Sequence, residues 1–247
     1  MLKKIAIVSS NYLSIKSFLS KQIENLSEDY IIQIYTNVEK SHRLSINKNK
    51  NIKFIHLPIR RNVNLFRDLE CFFKLIFYIF KFKPDLIMTL TPKGGLLGIL
   101  TSFILNVKIR IHYYTGQVWV TRKGFIKKLL KQVDKIIFKM STDCLTDSNL
   151  QKFFLEDEKV VKKDFLKVLA NGSICGVDTS RFKPNLENRE IIRKQLGVSV
   201  DTILLLFLGR LNKDKGILDL ADVVNDIIEQ DKKNISLLIV GPDEENI

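Results

Sequence analysis

Residues 201–247 read DTILLLFLGRLNKDKGILDLADVVNDIIEQDKKNISLLIVGPDEENI, and this stretch decides the fold class. An apolar run from Ile203 to Leu208 meets Gly209-Arg210, a polar loop follows, and Lys215-Gly216 opens a helical pattern. A second apolar run, Ile235 to Val240, closes against Gly241-Pro242. That is one βαβ crossover with basic residues where the first strand hands over to the helix. A helix start offers unpaired backbone N–H groups and the positive end of a dipole, which suits a phosphate. Arg210 and Lys215 add full charges at the same edge. Two apolar strands under one covering helix are too few for a doubly wound domain of ordinary size, so the stretch reads as the opening part of one.

Upstream, the same alternation repeats. Residues 4–9 (KIAIVS), 31–35 (IIQIY) and 52–57 (IKFIHL) are short, Ile-rich and bounded by polar residues, as strands are. A helical pattern fills 14–26, and the polar, Asn/Lys-rich segment 41–51 reads as a loop. A long helix over about 65–82 stops ahead of Pro84. Residues 85–90 are the next strand, followed by TPKGG and a helix; 107–113 is a strand, 123–140 a helix and 144–146 a short strand. Asp147-Ser148 caps the helix carrying QKFF, and 165–170 is the last strand of this half. Such spacing predicts an α/β fold with a parallel sheet covered on both faces. The join lies near 178–184, which sets a first domain over 1–180 and a second over 181–247.

The 247 residues fit one large domain, or one domain and a further part. A hydrophobic content of 45% supplies a packed core, and a net charge of +13 implies attraction to something anionic. Cys71, Cys144 and Cys175 are odd in number and show no C-x-x-C spacing, which fits a reduced, cytoplasmic setting. MLKKIAIVSS has too short an apolar core for a signal peptide and reads as a first strand. Residues 69–82 are broken by Lys74 and Lys81, and 94–107 span only 14 residues. Both fall short of the roughly 20 apolar residues a membrane span needs, so both read as buried or interfacial helices.

Five motifs in order carry a resemblance: LTPKGGLLG, YYTGQVWVTRKG, DSNLQKFFL, ANGSICGVDTSRFKP, and FLGRLNKDKGI with LLIVGPDEE. Together they resemble family 4 of the glycosyltransferases, bacterial members that build polysaccharides or lipid-linked oligosaccharides on the GT-B fold. The resemblance implies two Rossmann-like domains, a complete first one holding mostly the acceptor and a partial second one holding mostly the nucleotide-sugar. It implies retention of anomeric configuration, no metal and no cofactor. The donor is a substrate, UDP- or GDP-linked. It also implies that the donor half runs on past Ile247 and carries a Glu-x7-Glu pair. Glu244 and Glu245 belong to the loop after Gly241-Pro242 and are not that pair. The expectation is therefore a chain that by itself catalyses poorly or not at all and is marginally folded beyond about Pro184.

The same resemblance places Arg210 and Lys215 on the donor diphosphate, where leaving-group charge grows. Gly209 and Gly216 would let backbone approach it; the plainer reading is turn chemistry for the glycines and solvated cations for the pair. In the first half, Thr91, Pro92, Lys93, Gly94 and Gly95 follow a strand end, where open α/β sheets bind ligands. Lys93 and the two glycine amides either take an anion or form a tight turn. Tyr113, Tyr114, Thr115, Gly116, Gln117 and Trp119 follow another strand end and would line a sugar cleft, with Trp119 as a stacking platform against the alternative of a packed aromatic. Related enzymes often carry a histidine after this strand. Thr115 holds that place here, and His112, a few residues earlier, is the candidate catalytic residue, although a lone strand histidine is ordinarily structural. His42 and His56 have no evident partners, and no metal-ligand spacing exists. Asn171, Gly172 and the turn Gly176-Val177-Asp178 match the family's interdomain loop.

Lys127, Lys131, Lys135 and Lys139 recur every four residues along one helix, opposite Phe125, Ile126, Leu129, Leu130, Val133, Ile136 and Ile137. With Arg122, Lys123 and Lys128 this is a basic amphipathic helix. It is either a solvated outer face or a dock for an anionic inner leaflet. Nucleic acid is not an expected partner: no RNP-like, zinc-finger or helix-turn-helix pattern accompanies the charge. Two function classes remain open. One is the transferase, acting on a glycan or lipid-linked acceptor; the other is a non-catalytic module that binds acceptor or membrane.

Overall fold

The computed structural model describes residues 2–38, 49–60, 64–229, 234–243 and 245–247. Most of the loop expected at 41–51, His42 and Glu244 lie outside the described residues. The chain forms two compact units, Met1–Val177 and Asp178–Ile247.

In the first unit, seven strands form one parallel sheet in the order β3-β2-β1-β4-β5-β6-β7. They are β1 (Lys3–Val8), β2 (Tyr30–Thr36), β3 (Ile52–His56), β4 (Leu86–Leu90), β5 (Ile109–Tyr114), β6 (Asp143–Thr146) and β7 (Lys167–Val168). The order reverses between β1 and β4, which makes that pair the topological switch point. The helices are α1 (Tyr12–Phe18), α2 (Ser20–Leu26), α3 (Leu65–Phe82), α4 (Pro92–Ile104), α5 (Gly124–Met140) and α6 (Asn149–Asp157). β1 shows why its sequence is apolar throughout. Ala6 and Val8 pack with Cys71, Leu75 and Ile79 of α3, while Ile5 and Ile7 pack with Ile15, Leu19 and Ile23 on the other face. A parallel strand covered on both faces must be apolar on both.

Three boundaries differ from the sequence reading. The single helix expected at 14–26 is two helices, because Leu19 leaves helical backbone (φ −121°, ψ −2°) and the Ser20 hydroxyl donates back to the Lys16 carbonyl. The strand expected at 165–170 pairs only at Lys167–Val168, since Asp164 and Ala170 take positive φ (59° and 48°) on either side. The third concerns α5. Its buried face carries Asp134 and Ile137, and Lys127 and Lys131 turn inward over the Trp119 ring at 5.9 and 5.5 Å. Phe125, Ile126, Leu129 and Ile136 are exposed instead. The lysine row is therefore not simply the outer face.

The second unit holds α7 (Leu186–Gln195), β8 (Ile203–Leu208), a 3-10 turn (Lys213–Lys215), α8 (Ile217–Glu229) and β9 (Ile235–Val240). β8 and β9 pair in parallel from Ile203–Ile235 to Leu208–Val240. Ile217 and Val224 of α8 are buried, but Leu206, Leu208, Val223, Ile239 and Val240 are not. Arg193 ties α7 to the entry of β8 by donating to the carbonyls of Ser199 and Thr202.

Candidate functional site

The C-terminal ends of β1, β4, β5 and β6 gather the polar residues of the first unit. At the switch point Thr91, the N-cap of α4, sits at φ 65°, ψ 147°, a conformation costly for a β-branched residue. Its hydroxyl oxygen accepts from the Ser10 N–H at 3.1 Å and the Ser10 hydroxyl at 2.9 Å. Gly94 has a steric role here. A Cβ on it would lie 2.9 Å from Thr91 Oγ1 and 3.0 Å from Ser9 Cα, so its absence lets the β1 loop close on α4.

Gly95 has a different reason. A Cβ there would lie 2.4 Å from His112 Cε1, so the ring of His112 fills the space beneath the helix. His112 is buried, with Nδ1 2.8 Å from Thr89 Oγ1 and its ring edge-on to Tyr114. Burial lowers its pKa to about 3, so it stays neutral at physiological pH. The geometry places His112 in the core beneath α4.

Lys93 also departs from the anion-binding reading. Its Nζ lies 2.8 and 2.9 Å from the two carboxylate oxygens of Asp68 on α3, with both side chains largely shielded. The Gly95 amide donates to the Thr91 carbonyl at 2.7 Å. The cation expected to hold an anion is therefore paired across to α3, and one of the two glycine amides already serves the turn.

Trp119 is 1% exposed. It stacks on Phe154 at 5.5 Å and donates from Nε1 to Asp134 Oδ2 at 2.7 Å. It is a packed aromatic, which corrects the stacking-platform reading. Burial raises the Asp134 pKa to about 6, with the Trp119 hydrogen bond opposing. The ordinary value is 3.8, so this carboxyl contributes most below pH 3.8 and loses that contribution as pH rises through about 6. Asp134→Asn keeps an acceptor for Trp119 and removes the buried charge. It should stabilise the protein by about 2 kcal/mol near pH 7.5, with the gain vanishing below about pH 4. Urea unfolding across that range checks the sign; a variant weaker at pH 7.5 would contradict it.

Thr115 and Gly116 remain at the crest, half-buried and exposed, and Gly116 has open space around it. Beside them stand Gln117, expected at the cleft, Asp147, expected as a helix cap, and Gln151. Asp147 follows β6, where burial raises its pKa while the Tyr113 hydroxyl and the Ile174 amide oppose the shift. The Tyr113 hydroxyl lies near Asp147 but short of good hydrogen-bond geometry, so it, the Asp147 Oδ1 and the Gln117 Nε2 are all buried and unmatched. Gln151 joins Asp147 and Gln117, since Oε1 accepts from the Asp147 N–H at 3.2 Å and Nε2 reaches Gln117 Oε1 at 3.4 Å. Gly172 (φ 95°) passes so close to the Asp147 carbonyl that a Cβ would lie 2.3 Å from it, and Ser173 N–H donates there. The unmatched atoms of Tyr113, Gln117 and Asp147 are enclosed, so they hold polar capacity that the surrounding side chains leave unused.

In the second unit, β8 is prolonged by Gly209 N–H donating to the Val240 carbonyl and Leu211 N–H to the Pro242 carbonyl. Arg210 sits between them, half-buried. Asn212 caps the 3-10 turn through the Lys215 N–H at 3.1 Å, and Gly216 takes φ 71° to release the chain into α8. The helix thus starts at Ile217 and not at Lys215-Gly216, because the left-handed Gly216 separates turn from helix. Lys215 is exposed, and the Lys213 amide donates to Glu245 Oε2 at 3.1 Å. Among the described residues, no three His, Cys, Asp or Glu side chains gather where they could share a metal ion.

Residues 188–247 match the family model "Glycosyl transferases group 1". The "Capsular polysaccharide biosynthesis glycosyltransferase CapM" of Staphylococcus aureus is 31% identical over 185 residues, 75% of this chain and 48% of that protein. The "UDP-Gal:alpha-D-GlcNAc-diphosphoundecaprenol alpha-1,3-galactosyltransferase" of Escherichia coli is 25% identical over 186 residues, 75% of this chain and 47% of that protein. The chain spans about half the length of these curated relatives. A solved sucrose-phosphate synthase from Thermosynechococcus elongatus superposes with a TM-score of 0.70 at 17% identity, over 99% of this chain and 64% of that one. At that identity the likeness is one of fold.

Proposed function

We propose that the protein is a retaining glycosyltransferase of surface-polysaccharide or lipid-linked glycan assembly, a reading supported by the match of residues 188–247 to the group 1 glycosyl transferases and by the polysaccharide and lipid-linked glycan transferases among the relatives. The observation that carries this reading is the turn after β8. Arg210, the capped 3-10 turn with Lys215, and the left-handed Gly216 lead into the open N-terminus of α8. An arginine fork, a lysine point charge and free helix amides suit a departing UDP or GDP, whose negative charge grows as the glycosidic bond breaks. No metal is needed for that step. The acceptor is assigned to the first unit, where half-buried Thr115 and exposed Gly116 stand at the sheet crest with open space beside them. The setting proposed is the cytoplasm, at the inner face of the cell membrane.

The test is UDP and GDP titration of the 247-residue chain, followed by line broadening of the nucleotide signals. Arg210→Ala with Lys215→Ala should weaken binding at least about tenfold, since each charge-assisted contact contributes roughly 1.5–3 kcal/mol. Binding that is absent, or indifferent to both substitutions, would favour the second reading, a non-catalytic acceptor- or membrane-binding module. The extent of exposed apolar surface on the first unit is the observation on that side.

A further inference from the structure

α3 presents Leu65, Phe66, Leu69, Phe73, Phe77 and Phe80 to solvent, with Phe66 86% exposed. Their spacing of three and four residues places them on one stripe, opposite the buried Cys71, Leu75, Ile79 and Phe82. α5 presents a second stripe, Phe125, Ile126, Leu129 and Ile136, with Phe125 78% exposed. Both helices pack against α4, which lies between them in one layer, so the two stripes point away from the same side of the sheet. Ten large apolar side chains in two parallel rows exceed the scattered exposure ordinary for a protein surface.

The charges beside the stripes select the occupant. α5 carries five lysines against one aspartate, and that aspartate is buried under Trp119. Lys128 and Lys139 stand exposed beside its apolar row. At the far end of the layer, Phe77 opens onto a groove of about 620 Å³ whose lining includes Lys4, Lys53 and Lys81 and no acidic residue. The acids on α3 are already engaged, Asp68 by Lys93 and Glu70 by Lys74. No helix among the described residues is long and apolar enough to cross a membrane.

We propose that the α3 and α5 stripes together form a monotopic docking face for an anionic lipid bilayer, with the aromatic rows entering the headgroup–acyl boundary and the lysines meeting lipid phosphates. Apolar burial with flanking cations is the physics of interfacial helices. A second copy of this chain fits the face less well, because two such surfaces would bring like charges together. The inference deepens the proposed function by giving the surface and chemistry of its membrane contact, and its readout needs no nucleotide.

The experiment is flotation of the chain with phosphatidylcholine vesicles, with and without phosphatidylglycerol. Wild type should float with the anionic vesicles. Phe66→Ser/Phe73→Ser/Phe77→Ser should reduce the bound fraction at least about tenfold while circular dichroism stays native, since all three side chains are exposed. Lys128→Gln/Lys139→Gln should lose part of the anionic preference and its salt sensitivity. Wild-type protein that does not float, or a triple variant that floats as well as wild type, would overturn the proposal. So would dimerisation abolished by the triple substitution in a protein that ignores vesicles.

Discussion

Trp119→Ala is expected to destabilise the first unit by about 3–5 kcal/mol, the range for deleting a fully buried large aromatic. Three losses coincide. The ring leaves a void among Phe154, Leu155, Val160 and Leu166, the two lysine ammonium groups lose the π face they lie over, and Asp134 is left with a buried carboxylate oxygen whose donor has gone. The third is the least forgiving, because an ionised group without its hydrogen bond keeps the full desolvation cost. Trp119→Phe separates the contributions by keeping most of the stacking while deleting only the N–H. It should cost about 1–3 kcal/mol. Trp119 is the only tryptophan, so unfolding of both variants is followed by far-ultraviolet circular dichroism. Had Trp119 been a platform for sugar, the alanine variant would keep its stability and lose only ligand affinity. That outcome would return the residue to the site.

The contrast between these readings shows what the sequence could and could not reveal. The order of strands and helices was legible because short apolar runs bounded by polar residues are parallel strands; β1 is buried as such a run should be, whereas β8 pairs with β9 but keeps Leu206 and Leu208 exposed. The turn after β8 was legible in part: Gly216 and the Asn212 cap act within a few residues, while Gly209 pairs with Val240 far along the chain and the helix begins at Ile217 rather than at Lys215-Gly216. Residues whose partners are distant in sequence were not. His112 is enclosed because Gly95, seventeen residues earlier, leaves room for its ring. Lys93 is neutralised by Asp68 from another helix. Asp147 and Gln151 meet locally, four residues apart, but Gln117 joins them only once β5 and β6 are side by side.

The amphipathic helix α5 failed in a more instructive way. Periodicity fixes which residues share a face, and it separated the apolar row from the lysine row correctly. It says nothing about which face the fold will use. Trp119 and Asp134 decide that by drawing the Lys127–Lys131 side inward, and the apolar row is left for something else to cover. The same question hangs over α3, whose pattern reads equally well as a helix buried on two sides.

Gly241→Ala should be the most damaging single substitution in the second unit. A Cβ at this position would lie 1.6 Å from the Gly209 carbonyl oxygen and 2.7 Å from its carbon, and both are backbone atoms that cannot swing aside. Gly241 also takes φ 156°, which an L side chain disfavours. Relief requires β8 and β9 to separate at their C-terminal ends, breaking the bonds from Gly209 to Val240 and from Leu211 to Pro242. This sheet has only two strands and an open apolar face, with Leu208 75% exposed, so it holds little reserve against such a loss. A cost of about 3 kcal/mol or more is expected from strain and lost pairing together. Amide hydrogen exchange locates it. Protection should collapse across β8, β9 and α8 and stay unchanged in β1, β4 and β5. Because Arg210 rides on the same turn, nucleotide binding should be lost in parallel although no side chain assigned to the ligand has been altered. Protection that survives in β8 while binding fails would assign Gly241 a direct part in ligand contact instead.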